Sequence, residues 1–471
     1  MYKLEFTLKQ HTPIIHFQHD QDGATLRATE VKPKLDRFII EKCGFTEIVN
    51  GKVCPKPEFK NYFINEGKQH LALDYKLKIG GSPTKKVIIA SRLSQNQSSL
   101  IRDKGFEVIP VSPHFAQEKD FGKELFVKVD PNNPNNKNFK FKDDRNALNQ
   151  ISNFSKLGII SNQIIHCSVI CFNEHLKKKL EKNLAAFFLS ENFGTRQSKG
   201  FGSYTVEEIN GEKVNTNFES ELIKIFDIVY EKQETFDNVK AFSEIQSDYK
   251  LVKAGKGSPE GYAKSRLFLY FAKKGIRWEK RWIKRKLKPL TESTPIGRPF
   301  SGFTLKTSTI SGFPIDIDES QDWNDKPINN QGNNGSVEYN FIRAVLGLAE
   351  MYDFATNNSN NKISVKIKIS DDVERYRSPI LFKIIEKKIY LVANDNIPLE
   401  ILSMHNPTFS ASIKNHEKII DSSTIILSGS PKIPKTFSLK EFLQFCFLHD
   451  KTNLGMKDTD YLKIENYNKL K

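Results

Sequence analysis

Nine consecutive residues concentrate the chemistry this sequence offers: Gly194-Thr195-Arg196-Gln197-Ser198-Lys199-Gly200-Phe201-Gly202. Glycine has no Cβ, so a glycine-rich turn lets backbone N–H groups come close to a docked group. Arg196 and Lys199 stand between the glycines, and the guest that suits two cations and close amides is a phosphate chain. A plain helix cap followed by a β-turn is the dull alternative. A second set, His16, His19 and Asp20, sits in a polar loop with His11, Pro13, Asp22 and Gly23. Histidine titrates near pH 6.5 and moves protons at neutral pH, so this set is the alternative place for acid–base catalysis. A third is the run from Lys273 to Lys288, which carries nine cations and one carboxylate. Within it Trp278 and Trp282 lie four apart, beside Arg277, Arg281 and Arg285. Core packing is the expected work of the tryptophans, with the cations on the outer face and available to a polyanion.

Elements must hold these residues. Residues 174–189 read as an amphipathic helix leading into the glycine-rich turn, and 203–209 as a strand leaving it. Residues 2–8 alternate apolar and polar side chains, as a half-buried strand does. Residues 24–40 contain Leu35, Phe38 and Ile39 at helical spacing, with Pro33 expected in the first turn, where its missing N–H does no harm. Arg27, Lys32, Lys34 and Arg37 surround that helix entrance, whose dipole already favours phosphate. Residues 70–79 and 163–172 read as further strands, with His166 expected in the core. Between them, 80–156 is polar and irregular and reads as an insertion. The resulting order is βαββαβ, the order of a ferredoxin-like domain. After Asn210, helices are expected at 219–233, 235–246, 337–354 and 437–448, and strands at 362–369, 378–385 and 388–393. That makes a second α+β half with its helices ahead of its strands.

Length and charge set the frame. A chain of 471 residues exceeds one ordinary core, so two domains are expected. We place them at 1–212, with an insertion at about 80–160, and at 213–471, with a basic helical segment at 262–288. Lys and Arg number 72 against 56 Asp and Glu, a formal charge of +16 and a pI near 9.3. That balance points to a polyanionic partner. The five cysteines show no paired framework and no C-x-x-C; Cys167 and Cys171 share one strand face with no partner pair to complete a zinc site. No metal or cofactor is expected. Reduced thiols, no apolar leader and no run of 18 apolar residues lead to the expectation of a cytoplasmic protein with no membrane contact.

Gly194 to Gly202 resembles the glycine-rich loop of the RAMP superfamily, the RNA-binding proteins of CRISPR effector complexes, where it lies between the second helix and fourth strand of a ferredoxin-like domain. Leu26-Arg27-Ala28-Thr29-Glu30-Val31-Lys32 resembles the superfamily's segment at the start of the first helix, with Ala28 and Pro33 where glycines are usual. Arg375-Tyr376-Arg377-Ser378-Pro379 resembles an Arg-x-x-Ser-Pro segment of the tandem-domain subunit of type III-B complexes. The resemblance implies tandem ferredoxin-like (RRM-like) α+β domains and an RNA-binding subunit, without chemistry of its own, that touches guide or target RNA beside other effector subunits. It implies RNA contact at Arg27, Lys32, Lys34, Arg37, Gly194, Arg196, Ser198, Lys199, Gly200, Phe201 and Gly202, joined by Arg277, Arg281 and Arg285 from the basic run. Some members process guide RNA with a histidine, so a metal-independent endoribonuclease using His16 or His19 is the first alternative. An assembly subunit whose basic surface meets an acidic protein is the second.

Overall fold

The computed structural model describes residues 1–15, 26–64, 71–81, 84–91, 93–111, 125–133, 138–154, 156–161, 164–232, 237–258, 261–292, 339–347, 351–355, 361–368, 378–395, 407–415, 418–419, 424–448 and 461–463. They fall into two compact units, one of Met1–Gln246, Leu381–Ala393 and Asp460–Lys471, the other of Ser247–Ile380 and Asn394–Thr459.

The first unit opens with strand β1 (Tyr2–Gln10), whose Leu4, Phe6 and Leu8 are buried while Lys3 and Glu5 are exposed. Helix α1 (Ala28–Cys43) buries Val31, Leu35 and Ile39 and stops at Gly44, held at φ 63 in the left-handed conformation that glycine adopts without strain. The helix starts earlier than the sequence suggested, so Pro33 lies in its second turn. There it removes one intrahelical bond, and its ring is exposed. Strands β2 (Tyr75–Ile79) and β3 (Ile165–Cys171) follow, then helix α2 (Glu174–Ser190), capped by Asn173, and strand β4 (Tyr204–Ile209). The sheet order is β4-β1-β3-β2, every pair antiparallel, with a short strand Glu212–Lys213 beyond β4. One sheet face packs on α1 and α2 through Leu4, Phe6, Val169, Leu184, Phe187 and Phe188. Cys167 and Cys171 point into this core, as their spacing predicted. His166 does not: it is exposed on the opposite face, because alternation along β3 sends every second residue outward.

The insertion is better ordered than its polarity suggests. Thr84–Ser91, Glu107–Val111, Lys156–Ser161 and Ile14–Ile15 form a separate four-stranded sheet. A helix, Gln95–Asp103, opens with a capping box between Ser94 and Gln97. Ile88, Ala90, Ile101, Val108 and Ile151 fill a core of their own. Alternation along Thr84–Ser91 sends Ile88 and Ala90 into this core, a pattern that a mean polarity hides.

Strand β5 (Ile228–Lys232) begins the second half, where a helix over 219–233 was expected. The helix there ends at Ile225, and Ile228, Val229 and Tyr230 are buried in a strand. β-Branched side chains suit that pleated surface. In chain order follow α3 (Asn238–Lys253), β6 (Ile380–Ile385), β7 (Lys388–Ala393), α4 (Leu439–Leu448) and β8 (Tyr461–Lys463), with sheet order β8-β5-β7-β6. Helices therefore do not precede strands in this half. Strand β5 comes before α3, and α4 comes after most of the strands.

In the second unit, helices Arg266–Lys273 and Glu279–Glu292 accompany a sheet built on Met351–Ala355, Asn361–Lys368 and Thr408–Asn415. The helix expected at 337–354 is instead a short 3-10 turn, Ile342–Leu346, and a strand. Gly347 at φ 94 breaks the turn from the strand, and Tyr352 and Phe354 alternate inward. Among the described residues no helix is long and apolar enough to cross a membrane.

Candidate nucleic-acid interface

Helix α2 delivers the chain into the glycine-rich loop, and the loop is fixed from both sides. On the α1 side, Glu30 Oε1 accepts from the Gly194 amide at 2.6 Å, and Lys34 Nζ donates to Asn192 O at 2.9 Å and Gln197 Oε1 at 3.0 Å. Thr195 N and Gly202 N donate to the carbonyls of Ile15 and Pro13. On the other side, Asn192 Nδ2 donates to Gln197 O and to Phe382 O of β6, and Phe382 N donates to Ser198 O. Between these ties the backbone turns sharply. Gly194, Arg196, Gly200 and Gly202 all have positive φ, at 80°, 60°, 88° and 70°. Glycine accepts this freely, but arginine does so at a cost, and such strain concentrates at functional positions.

At the apex the Lys199 and Gly200 amides close turns onto Arg196 O and Gln197 O. The Gln197 and Ser198 amides have no protein acceptor among the described residues. Arg196, Gln197, Ser198 and Lys199 are half-buried. Burial, and then the neighbouring Arg196 charge, lowers Lys199 to a pKa of about 8. Two like charges thus stand close together in a partly dry loop. Phe201 is wholly buried and stacks on Phe242 at 4.1 Å, so its ring packs inside and is closed to bases. Gly202 fits only as glycine, since a Cβ there would lie 1.9 Å from Phe193 O.

The cations of α1 separate by role. Lys32 donates to Asp36 at 2.8 Å and to Leu73 O, and lies over the Tyr75 ring. Burial raises the pKa of Asp36 despite that ammonium. Lys34 faces the loop, as described. Arg27 is the half-buried N-cap residue, without a side-chain cap bond, and Arg37 is exposed. In the second unit Arg277 is buried in a two-residue strand beside Tyr339. On the helix Glu279–Glu292, Arg281 is half-buried, and Arg285 is exposed and donates to Tyr339 Oη at 2.9 Å. Trp282 packs into the core against Phe409, while Trp278 lies outside the helix, under Arg343. His16, His19, Asp20, Arg375 and Arg377 lie outside the described residues. Among the described residues no cluster of His, Cys, Asp or Glu has a metal-holding arrangement.

Sequence reasoning missed Glu30, Asn192 and Lys383, which hold the loop, and His11. His11 is tucked between Thr205 Oγ1, at 2.8 Å, and the Glu386 amide. Burial, with Lys9 and Lys383 nearby, lowers its pKa to about 3, so it is neutral at physiological pH. No local signal marks Lys383, whose loop partners are nearly two hundred positions away.

With that geometry in hand, comparison with known families is decisive. The Cmr1 N-terminal domain model matches residues 1–105 and 115–256, and the Cmr1 C-terminal domain model matches 262–469. The chain belongs to the Cmr1 family. As a Cmr1-family protein it is a RAMP-type protein of type III-B CRISPR systems and a subunit of a multi-subunit effector complex. Among solved structures it is similar to Cmr1 from Pyrococcus furiosus in its apo form, at 10% identity and TM-score 0.36, over 98% of this chain and 99% of that one. No curated protein sequence matches it significantly.

Proposed function

We propose that this Cmr1-family subunit binds the backbone of guide or target RNA through the glycine-rich loop. The observation that carries the proposal is that Arg196 and Lys199, close enough to act on each other's charge, flank in the chain two amides with no acceptor among the described residues, those of Gln197 and Ser198. A phosphate there would accept from the amides and favour the charged form of Lys199. Arg27 and Arg37 extend the basic surface along α1, while Lys32 and Lys34 shape it from within. Arg281 and Arg285 form a second cationic surface, while Arg277 is buried. Binding of this kind reads backbone and shape, because side chains that meet phosphates carry no base code.

The fold we propose for this role is a tandem pair of ferredoxin-like domains, divided near residue 212. What supports it is the same βαββαβ order in both halves and the matching strand orders, β4-β1-β3-β2 and β8-β5-β7-β6. In this reading the subunit supplies no catalytic group of its own and works in the cytoplasm.

The proposal is tested with purified protein and single-stranded RNAs of unrelated sequence. Backbone binding predicts similar affinities across sequences and a steep linear fall of log K with log[salt]. Affinity confined to one sequence, or indifferent to salt, would contradict it. Nuclease treatment adds a second arm: a subunit whose basic surface serves only an acidic protein would release no RNA.

A further inference from the structure

We infer that Lys383, a buried lysine of β6, is the positioning residue of the glycine-rich loop, so that RNA affinity depends on a side chain RNA does not touch. This rests on the RNA-binding reading above. Lys383 has no exposed surface. Its ammonium donates to Phe188 O at 2.9 Å, Glu191 O at 2.7 Å and Asn192 Oδ1 at 3.0 Å. The Phe188 carbonyl belongs to the last turn of α2, whose carbonyls lack partners further along the helix, and a cation suits that negative end of the dipole. Lys383 thus ends α2 with a charge supplied by the second βαββαβ half.

Asn192, also fully buried, passes the constraint onward. Its Oδ1 accepts from Lys383, and its Nδ2 donates to Gln197 O at 2.8 Å and Phe382 O at 2.9 Å. The loop completes the connection through its backbone, because Phe382 N donates to Ser198 O and Lys199 bridges Phe382 in parallel. Strand β6 is the edge of its sheet, so the loop also covers an edge that would otherwise lie open. The chain of contacts runs from Lys383 through Asn192 to the carbonyl of Gln197, whose amide belongs to the proposed phosphate site. Removing the first link frees the apex without deleting any group that meets RNA.

The test compares Lys383→Met with Arg196→Ala/Lys199→Ala in the full chain, by RNA affinity across a salt series and by amide hydrogen exchange. Lys383→Met is expected to weaken binding about tenfold at unchanged salt slope. The amides of Lys199, Gly200 and Phe382, which bond within the loop or onto it, should then exchange faster while those of β1 keep their protection. The loop double variant is expected to lower the slope itself. If Lys383→Met does not fold, Asn192→Ala takes its place, since it leaves Lys383 bonded to the two backbone carbonyls, and the same signature is expected. Unchanged affinity, a reduced slope, or faster exchange spread equally over β1 would overturn the assignment. If the loop double variant leaves affinity unchanged, the RNA reading has failed, and local exchange at Lys199, Gly200 and Phe382 alone decides whether Lys383 positions the loop.

Discussion

Lys199 is the residue whose state should change when RNA arrives. Its free pKa of about 8 lies below the ordinary lysine value because burial and Arg196 disfavour the charged form. A bound phosphate favours that form, so the pKa rises on binding and a proton is taken up. RNA affinity is therefore expected to fall as pH rises from about 7 to 9. Lys199→Arg, whose charge does not titrate there, should flatten that dependence; an equal fall in both proteins would contradict this role. Phe201 calls for a different measurement. Phe201→Ala is expected to cost roughly 3–5 kcal/mol of stability, seen as a lower urea midpoint, because the ring is fully buried against Phe242. At this scale the sequence was partly legible. Glycine spacing and the intervening cations marked the loop, because backbone freedom and charge are written in residue type. Lys32 and Arg37 looked alike in the sequence, yet one is bonded internally and the other exposed, because the partners of Lys32 include Leu73, far along the chain.

At the scale of elements, the loop is a structural turn as well as a candidate site. Gly202→Ala would put a Cβ 1.9 Å from Phe193 O at φ 70, whereas Gly51→Ala at φ 74 meets nothing within 4 Å. Both pay the left-handed penalty of about 1–2 kcal/mol, and only Gly202→Ala adds a backbone clash. Thermal midpoints should fall for both and much further for Gly202→Ala; equal shifts would show that the loop relaxes around the added carbon. In the second unit, buried Glu279 accepts from the Ile342 amide and Tyr352 Oη and pairs with Arg343 at 3.4 Å. Arg343→Ala leaves that carboxylate without its cation and is expected to cost roughly 3–5 kcal/mol by denaturant unfolding, against little for an exposed cation such as Lys286→Ala. Strongly periodic elements such as β1, β3 and α2 could be read directly. Segments 219–233 and 337–354 could not, because a short apolar run fits a helix face or a buried strand equally, and pairing with distant strands decided it.

At the scale of the molecule, a +16 chain belongs to a family of effector-complex subunits. The sheet β8-β5-β7-β6 was illegible because a long stretch of chain separates β5 from β6, and no linear pattern links strands so far apart. The charge was legible, and it motivates the most direct test. RNA affinity of the wild type and of Arg196→Ala/Lys199→Ala should be measured from low to high salt on one single-stranded RNA. If the loop holds two phosphate contacts, the variant binds more weakly and its slope of log K against log[salt] is shallower by roughly 1.4. Superimposable lines for the two proteins would contradict RNA binding by the loop.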